Sequence, residues 1–278
     1  MSIKDTLKGI VASEQQMQAA NPGTAVAKQA GGGVPVDPAM FEGLPTGYEN
    51  VTAKDLIIPR LVILQGLSPQ LDKNKPEYIQ GAASGDFCDV ATSEVWKEGI
   101  TIIPCYYATV YLEWAPRASG KGLVANHGTD AEKAHKHATL NEEKRWVTKD
   151  GNIVSETATF FVLNMSAGGR RSFVPMTSTQ LKNARQWMTI ITNEKLTRRD
   201  GSQMQAPLFY RSWEAYSVGQ SNAKGSWNGW KFRPGKTILE LGGKALLDEA
   251  VEFNKQAKEG LVQGDFANEE TAEDTDKM

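Results

Sequence analysis

The run from Gly99 to Trp114 does most to fix what this chain can become. It holds Ile100, Ile102, Ile103, Tyr106, Tyr107, Val110, Tyr111 and Leu112, and that density of β-branched and aromatic side chains suits a pleated strand. Tyr106 and Tyr107 are neighbours, so they point to opposite faces and at most one meets a ligand. Further β-type runs cover Leu56 to Leu64, Thr157 to Met165, Arg171 to Met176 and Pro207 to Val218. Pro59 favours an edge or a bulge for the first of these. Trp146 to Val154 reads as a hairpin turned at Asp150-Gly151-Asn152. Ser166 to Arg170 joins two strands with Arg170 and Arg171 at the tip. Helical spacing places Leu181, Ala184, Met188 and Ile191 on one face of a helix from Thr179 to about Asn193, with Ser178 as its N-cap. A second helix runs from Lys244 to Glu259, interrupted upstream by Gly242-Gly243. The expectation is a mainly β chain with helices, in the α+β class.

The two ends differ from this centre. Residues 1–20 fit a short amphipathic helix. From Ala19 to Gly47 the chain is rich in Gly, Ala, Pro and Gln, too poor in apolar surface to offset its ordering entropy. The last stretch, Gly264 to Met278, has six acids and one lysine and reads as an acidic disordered tail. The organisation expected is a flexible arm over 1–50, one domain over 51–260 and a tail over 261–278. Two cysteines, Cys88 and Cys105, exclude a disulfide scaffold. No apolar run reaches the ~18 residues of a membrane span, and no signal peptide is visible, so a cytoplasmic protein is expected.

Charge is distributed unevenly. Phe160 to Arg233 contains eleven of the 23 aromatic residues and eleven Lys or Arg against three acids, a net +8 in a chain whose total is −2. Interleaved cations and rings are what a single-stranded nucleic acid needs, because charge holds phosphates and rings stack on unpaired bases. Trp213, Trp227 and Trp230 lie among Arg211, Lys224, Lys231 and Arg233. Tryptophans alone would suit an ordinary core, but Lys and Arg are seldom buried without partners.

Catalytic motifs are sparse. Gly235-Lys236-Thr237 lacks the glycine five positions upstream that a phosphate loop requires, where Trp230 stands. No Gly-x-Ser-x-Gly elbow occurs. His127, His135 and His137 share a long polar insertion, Ala115 to Glu143, with Asp130 and Glu132 nearby. Their spacings match no zinc signature, and Lys133 and Lys136 disfavour a bound cation. They read as solvated loop histidines. No enzyme, cofactor or metal is expected.

Several short strands, a helix within the strand order, a basic aromatic face and an acidic end together resemble single-stranded-DNA-binding proteins of the oligonucleotide-binding (OB) barrel type. The phage-encoded replication version is the nearest likeness. Leu56 to Leu64, Gly99 to Arg117, Phe173 to Trp187 and the acidic end carry it. The resemblance implies a partly open five-stranded antiparallel OB-like barrel, sequence-tolerant binding in replication or recombination, and contact with replication or recombination proteins through the tail. The long insertion, the arm and the absence of a terminal aromatic depart from that pattern. On this reading Arg170, Arg171, Lys182, Arg185, Arg211, Lys231 and Arg233 hold phosphates, while bases stack among Phe173, Tyr210, Trp213, Trp227 and Trp230. The alternative is a structural or protein-interaction protein, a virion component or an inhibitor, using the same surface. A metal-dependent nuclease built on the histidine loop is a third reading.

Overall fold

The long strand β4 (Ile100–Trp114) is the axis of the molecule in a computed structural model that describes residues 57–262 except 117, 118 and 224, together with 39, 42–45, 47–50, 264 and 266. The expected N-terminal helix, nearly all of the arm and most of the acidic tail lie outside the described residues. Ahead of β4 come β1 (Leu61–Ile63), β2 (Phe87–Asp89) and β3 (Glu94–Trp96), which form a small antiparallel sheet in that order. After it come β5 (Leu123–Asn126), a short helix α1 (Ala131–His135), β6 (Ala138–Leu140), β7 (Trp146–Thr148), β8 (Ile153–Asn164) and β9 (Arg170–Thr177). The chain continues through α2 (Gln180–Thr192), the small hairpin β10 (Lys195–Thr197) and β11 (Gln203–Gln205), β12 (Arg211–Asn222), β13 (Gly225–Thr237) and α3 (Ile238–Lys258).

Eight strands make one sheet in the order β13-β12-β4-β8-β7-β6, with β5 also on β4 and β9 also on β8. Among the described residues nothing pairs β13 with β6, so the sheet is open and the expected five-stranded barrel is not formed. The physical reason lies at the outer edge of β13. There Gln65 donates from Nε2 to the Asn228 carbonyl (3.0 Å) and accepts from the Asn228 amide (2.8 Å), while Gln180 accepts from the Trp230 amide (3.2 Å). Two glutamine side chains occupy the edge where a barrel would place its closing strand, which also blunts it against pairing with another chain.

Alternation along the strands divides the core between the two faces. Phe160 and Val162 of β8 join Trp187 of α2, Trp213, Trp230, Phe87 and Leu61 on one face. Phe161 and Leu163 join Ile103, Cys105 and Phe253 of α3 on the other. Tyr106 and Tyr107 separate in the same way, one to each cluster. Each large side chain buried here contributes about 1.5–3 kcal/mol. The fold is therefore mixed α/β, an open sheet with α2 on one face and α3 on the other.

Both long helices stand close to their expected positions, with differences at their starts. Ser178 does not cap α2: it takes a left-handed φ of 49°, Thr179 is the N-cap, and no side chain caps the first turn. In α3 the break falls at Gly243, whose φ of 60° and ψ of −147° are non-helical, and the helix begins ahead of it with a capping box of Thr237 and Glu240. Arg170 and Arg171 are not a hairpin tip but the first residues of β9, paired to Asn164 and Leu163. No helix among the described residues is long and apolar enough to cross a membrane.

Candidate functional sites

The insertion after β4 is folded rather than a loop, and it brings two of its histidines to one carboxylate. Glu113 pairs with Ala125 of β5 on one side and with Val154 of β8 on the other. Residues two positions along those neighbouring strands share its face. They are His127, whose backbone amide donates to the Tyr111 carbonyl (2.9 Å), and Asn152. His137 arrives from the segment between α1 and β6. Glu113 Oε2 accepts from His127 Nε2 (2.9 Å) and from His137 Nε2 (3.1 Å), and its Oε1 accepts from Asn152 Nδ2 (2.7 Å). The Glu113 and His127 side chains are 9% and 10% exposed, while His137 is 46% exposed. Burial works to raise the Glu113 carboxyl, but the hydrogen bonds from Asn152, His137 and His127 outweigh it and hold the group below its ordinary range. The ligand atoms of Glu113, His127 and His137 lie within 4.8 Å of one another.

His135, expected to resemble the other two, does something else. Its ring stacks on Trp146 at 4.2 Å and meets the edge of Tyr111, and burial lowers its basicity. Asp130 caps α1 by accepting from the Lys133 amide (2.9 Å), and Lys133 and Lys136 are exposed. The residue that sequence reasoning missed is Glu113, which precedes the insertion. Its signal was an acid within the most strongly apolar strand of the chain.

The basic, aromatic window is used differently from the expectation. Phe173, Trp213 and Trp230 are buried, with no face open to a base. Trp230 packs edge-on against Phe87 at 4.9 Å and Trp213 against Trp187 at 5.9 Å. Tyr210 is half-buried under the Arg211 guanidinium at 5.6 Å. The cations are held by acids, most of them from outside the window. Arg170 binds Asp89 Oδ2 (3.0 Å) and Glu94 Oε2 (2.6 Å). Arg171 binds Glu249 (2.7 Å) and lies over Phe253. Arg185 pairs with Glu156 (3.2 Å), Arg211 with Glu194, and Arg233 with Glu214. Lys231 donates to Gln186 (3.0 Å). Lys182, Arg185, Trp227 and Lys231 do converge, around a cleft of about 520 Å³ between α2 and the β12–β13 ribbon. Trp227 is half-buried there and donates from Nε1 to Gln220 Oε1 (2.9 Å).

These placements correct the expectation of a single-stranded-DNA-binding protein. Among the described residues there is no OB barrel to present the surface, and five of the seven cations expected to hold phosphates are paired with acids instead.

Residues 28–263 match the family described as Pam3 phage gp34-like protein, and the chain belongs to that family. No curated protein and no solved structure matches the chain.

Proposed function

We propose that this phage-family protein works by protein–protein contact in the host cytoplasm, as a virion component or as an inhibitor of a host factor, and performs no chemistry of its own. The observation that supports this reading most is the outward face of the β12–β13 ribbon. β12 pairs with β4 only over Trp213 to Ala215, and beyond that point the ribbon is two strands wide on that side. Tyr216 and Val218 are exposed on it, with the Arg233 guanidinium over the Tyr216 ring at 5.8 Å and Lys231 opposite Tyr216. Aromatic residues and arginine dominate the energetics of protein interfaces. An arginine already paired with Glu214 can still stack and pack there, although its charge is largely spent.

The test is to quantify the chain in purified, nuclease-treated phage particles, and to probe any complex found in infected cells at low and high salt. The reading expects a fixed copy number per particle, or a defined partner retained through nuclease and salt. Changing Tyr216→Ala together with Val218→Ala should then weaken the contact by roughly tenfold or more. Loss of the partner on nuclease treatment, or no effect of the double change, overturns it.

A further inference from the structure

We propose that Glu113, His127 and His137 form a binding site for one divalent transition-metal ion of the zinc class, which pins the folded insertion to the end of β4. The three side chains come from three separate segments: the last turn-in of the central strand, the end of the β5 return, and the link between α1 and β6. Nothing in local sequence forces them together, yet both imidazoles aim Nε2 at the same carboxylate oxygen, at 2.9 and 3.1 Å. Metal–nitrogen and metal–oxygen bonds of about 2.0–2.2 Å in a tetrahedron put ligand atoms roughly 3.3 Å apart. The observed nitrogen–oxygen separations are within a few tenths of an ångström of that value. All three ligand atoms lie within 4.8 Å of one another, so the set closes when the imidazole of the exposed His137 moves toward that of His127.

The donor types select the ion. Two imidazoles and one carboxylate suit zinc, cobalt, nickel or ferrous iron, whereas magnesium and calcium prefer sites built of oxygen. In the metal-free site Nε2 of each imidazole carries the proton that Glu113 accepts; on binding, each ring takes the other tautomer, with its proton on Nδ1 and its Nε2 lone pair on the ion. No proton need be lost from a neutral ring. Asn152, donating to Glu113 Oε1 at 2.7 Å, fixes the carboxylate so that Oε2 faces the histidines, the kind of outer contact that tunes ligand orientation. Three protein ligands leave a fourth position, and the exposure of His137 opens it to solvent water. The covering layer is itself anchored: Ala134 and Ala138 flank the ligand segment and pack with Val154, Tyr111 and Trp146. An ion here ties that layer to the main sheet. The inference is independent of the protein-interaction reading, and either can fail alone.

The test uses tag-free full-length protein, stripped with a chelator and titrated calorimetrically with zinc, magnesium and calcium chlorides, with visible absorption of a cobalt titration as a second readout. Wild type should take up one equivalent of zinc, resist magnesium and calcium, and give the intense absorption of tetrahedral cobalt. His137→Ala, at an exposed position, leaves the core untouched and should weaken zinc binding at least ~100-fold. Asn152→Ala should weaken it by roughly tenfold. His127→Ala should abolish the cobalt signal, with folding checked by its urea midpoint. Absence of saturable one-to-one zinc uptake by the wild-type protein overturns the proposal. So does binding in His137→Ala and His127→Ala that equals wild type.

Discussion

Arg170 offers the clearest measure of whether the basic window serves the fold. Its guanidinium joins β9 of the large sheet to β2 and β3 of the small one, through Asp89 at 3.0 Å and Glu94 at 2.6 Å. Asp89 is fully buried, and its other oxygen accepts from the Ala91 and Thr92 amides (3.0 and 3.1 Å). Changing Arg170→Met keeps an apolar stem and leaves a buried carboxylate without its cation. Breaking a wholly buried pair costs about 3–5 kcal/mol. Arg170 is 34% exposed, so water screens part of the interaction, and the two amides still solvate Asp89. Roughly 2 kcal/mol remains. With a urea slope near 2 kcal/mol/M that is a fall of about 1 M in the unfolding midpoint. Arg185→Met is the internal control: that side chain is 67% exposed against Glu156, and such pairs contribute under about 1 kcal/mol. Urea unfolding followed by tryptophan fluorescence should separate the two variants clearly. If Arg170→Met moves the midpoint no more than Arg185→Met, the clamp is not structural and the guanidinium is available to another ligand.

Acid should act partly through Glu113. Its folded value lies below the ordinary 4.5, so its stabilisation is complete above pH 4.5 and is lost as pH falls through the lower folded value. Glu113→Gln in chelator-treated protein should flatten that segment of the stability profile, read as urea midpoints between about pH 3 and 6; an unchanged profile removes Glu113 as a contributor. Burial pushes the Cys88 and Cys105 thiols up to about 12, so neither should react with a thiol reagent near neutral pH until urea unfolds the chain, and fast labelling of the native protein contradicts their burial. Gly99 has φ 117° and a Cβ there would lie 2.5 Å from the Ala215 carbonyl oxygen. Gly99→Ala should therefore cost about 2 kcal/mol or more, because backbone strain and a backbone clash combine; a wild-type urea midpoint would show that β12 can shift away.

Local pattern carried much of the architecture. The β-branched density of Gly99 to Trp114, the turn at Asp150-Gly151-Asn152 and the break at Gly242-Gly243 each correspond to an observed element or interruption. What local pattern does not contain is closure. Whether strands curl into a barrel depends on what meets the last edge, and here that is decided by Gln65 and Gln180, which contact Asn228 and Trp230 across 163 and 50 positions. Charge misled for a related reason. A window can be +8 in sequence and only about half as charged in space, because Asp89, Glu94, Glu156 and Glu249 bring four negative charges to it from other strands and helices. The three histidines were legible as a group, but the acid that unites two of them sits before the insertion on β4. Only the pairing of Glu113 with Ala125 and Val154 brings it to them.

The measurement that bears most directly on the account is tryptophan fluorescence during titration with an oligothymidine strand, first at low and then at moderate salt. With Trp187, Trp213 and Trp230 buried and Arg170, Arg171, Arg211 and Arg233 paired with acids, the signal should show no saturable quenching even at low salt. Strong quenching that saturates and is reversed by salt would mean that rings and free cations share one surface, and would contradict the assignment of these residues to the fold and of the protein to protein-mediated work.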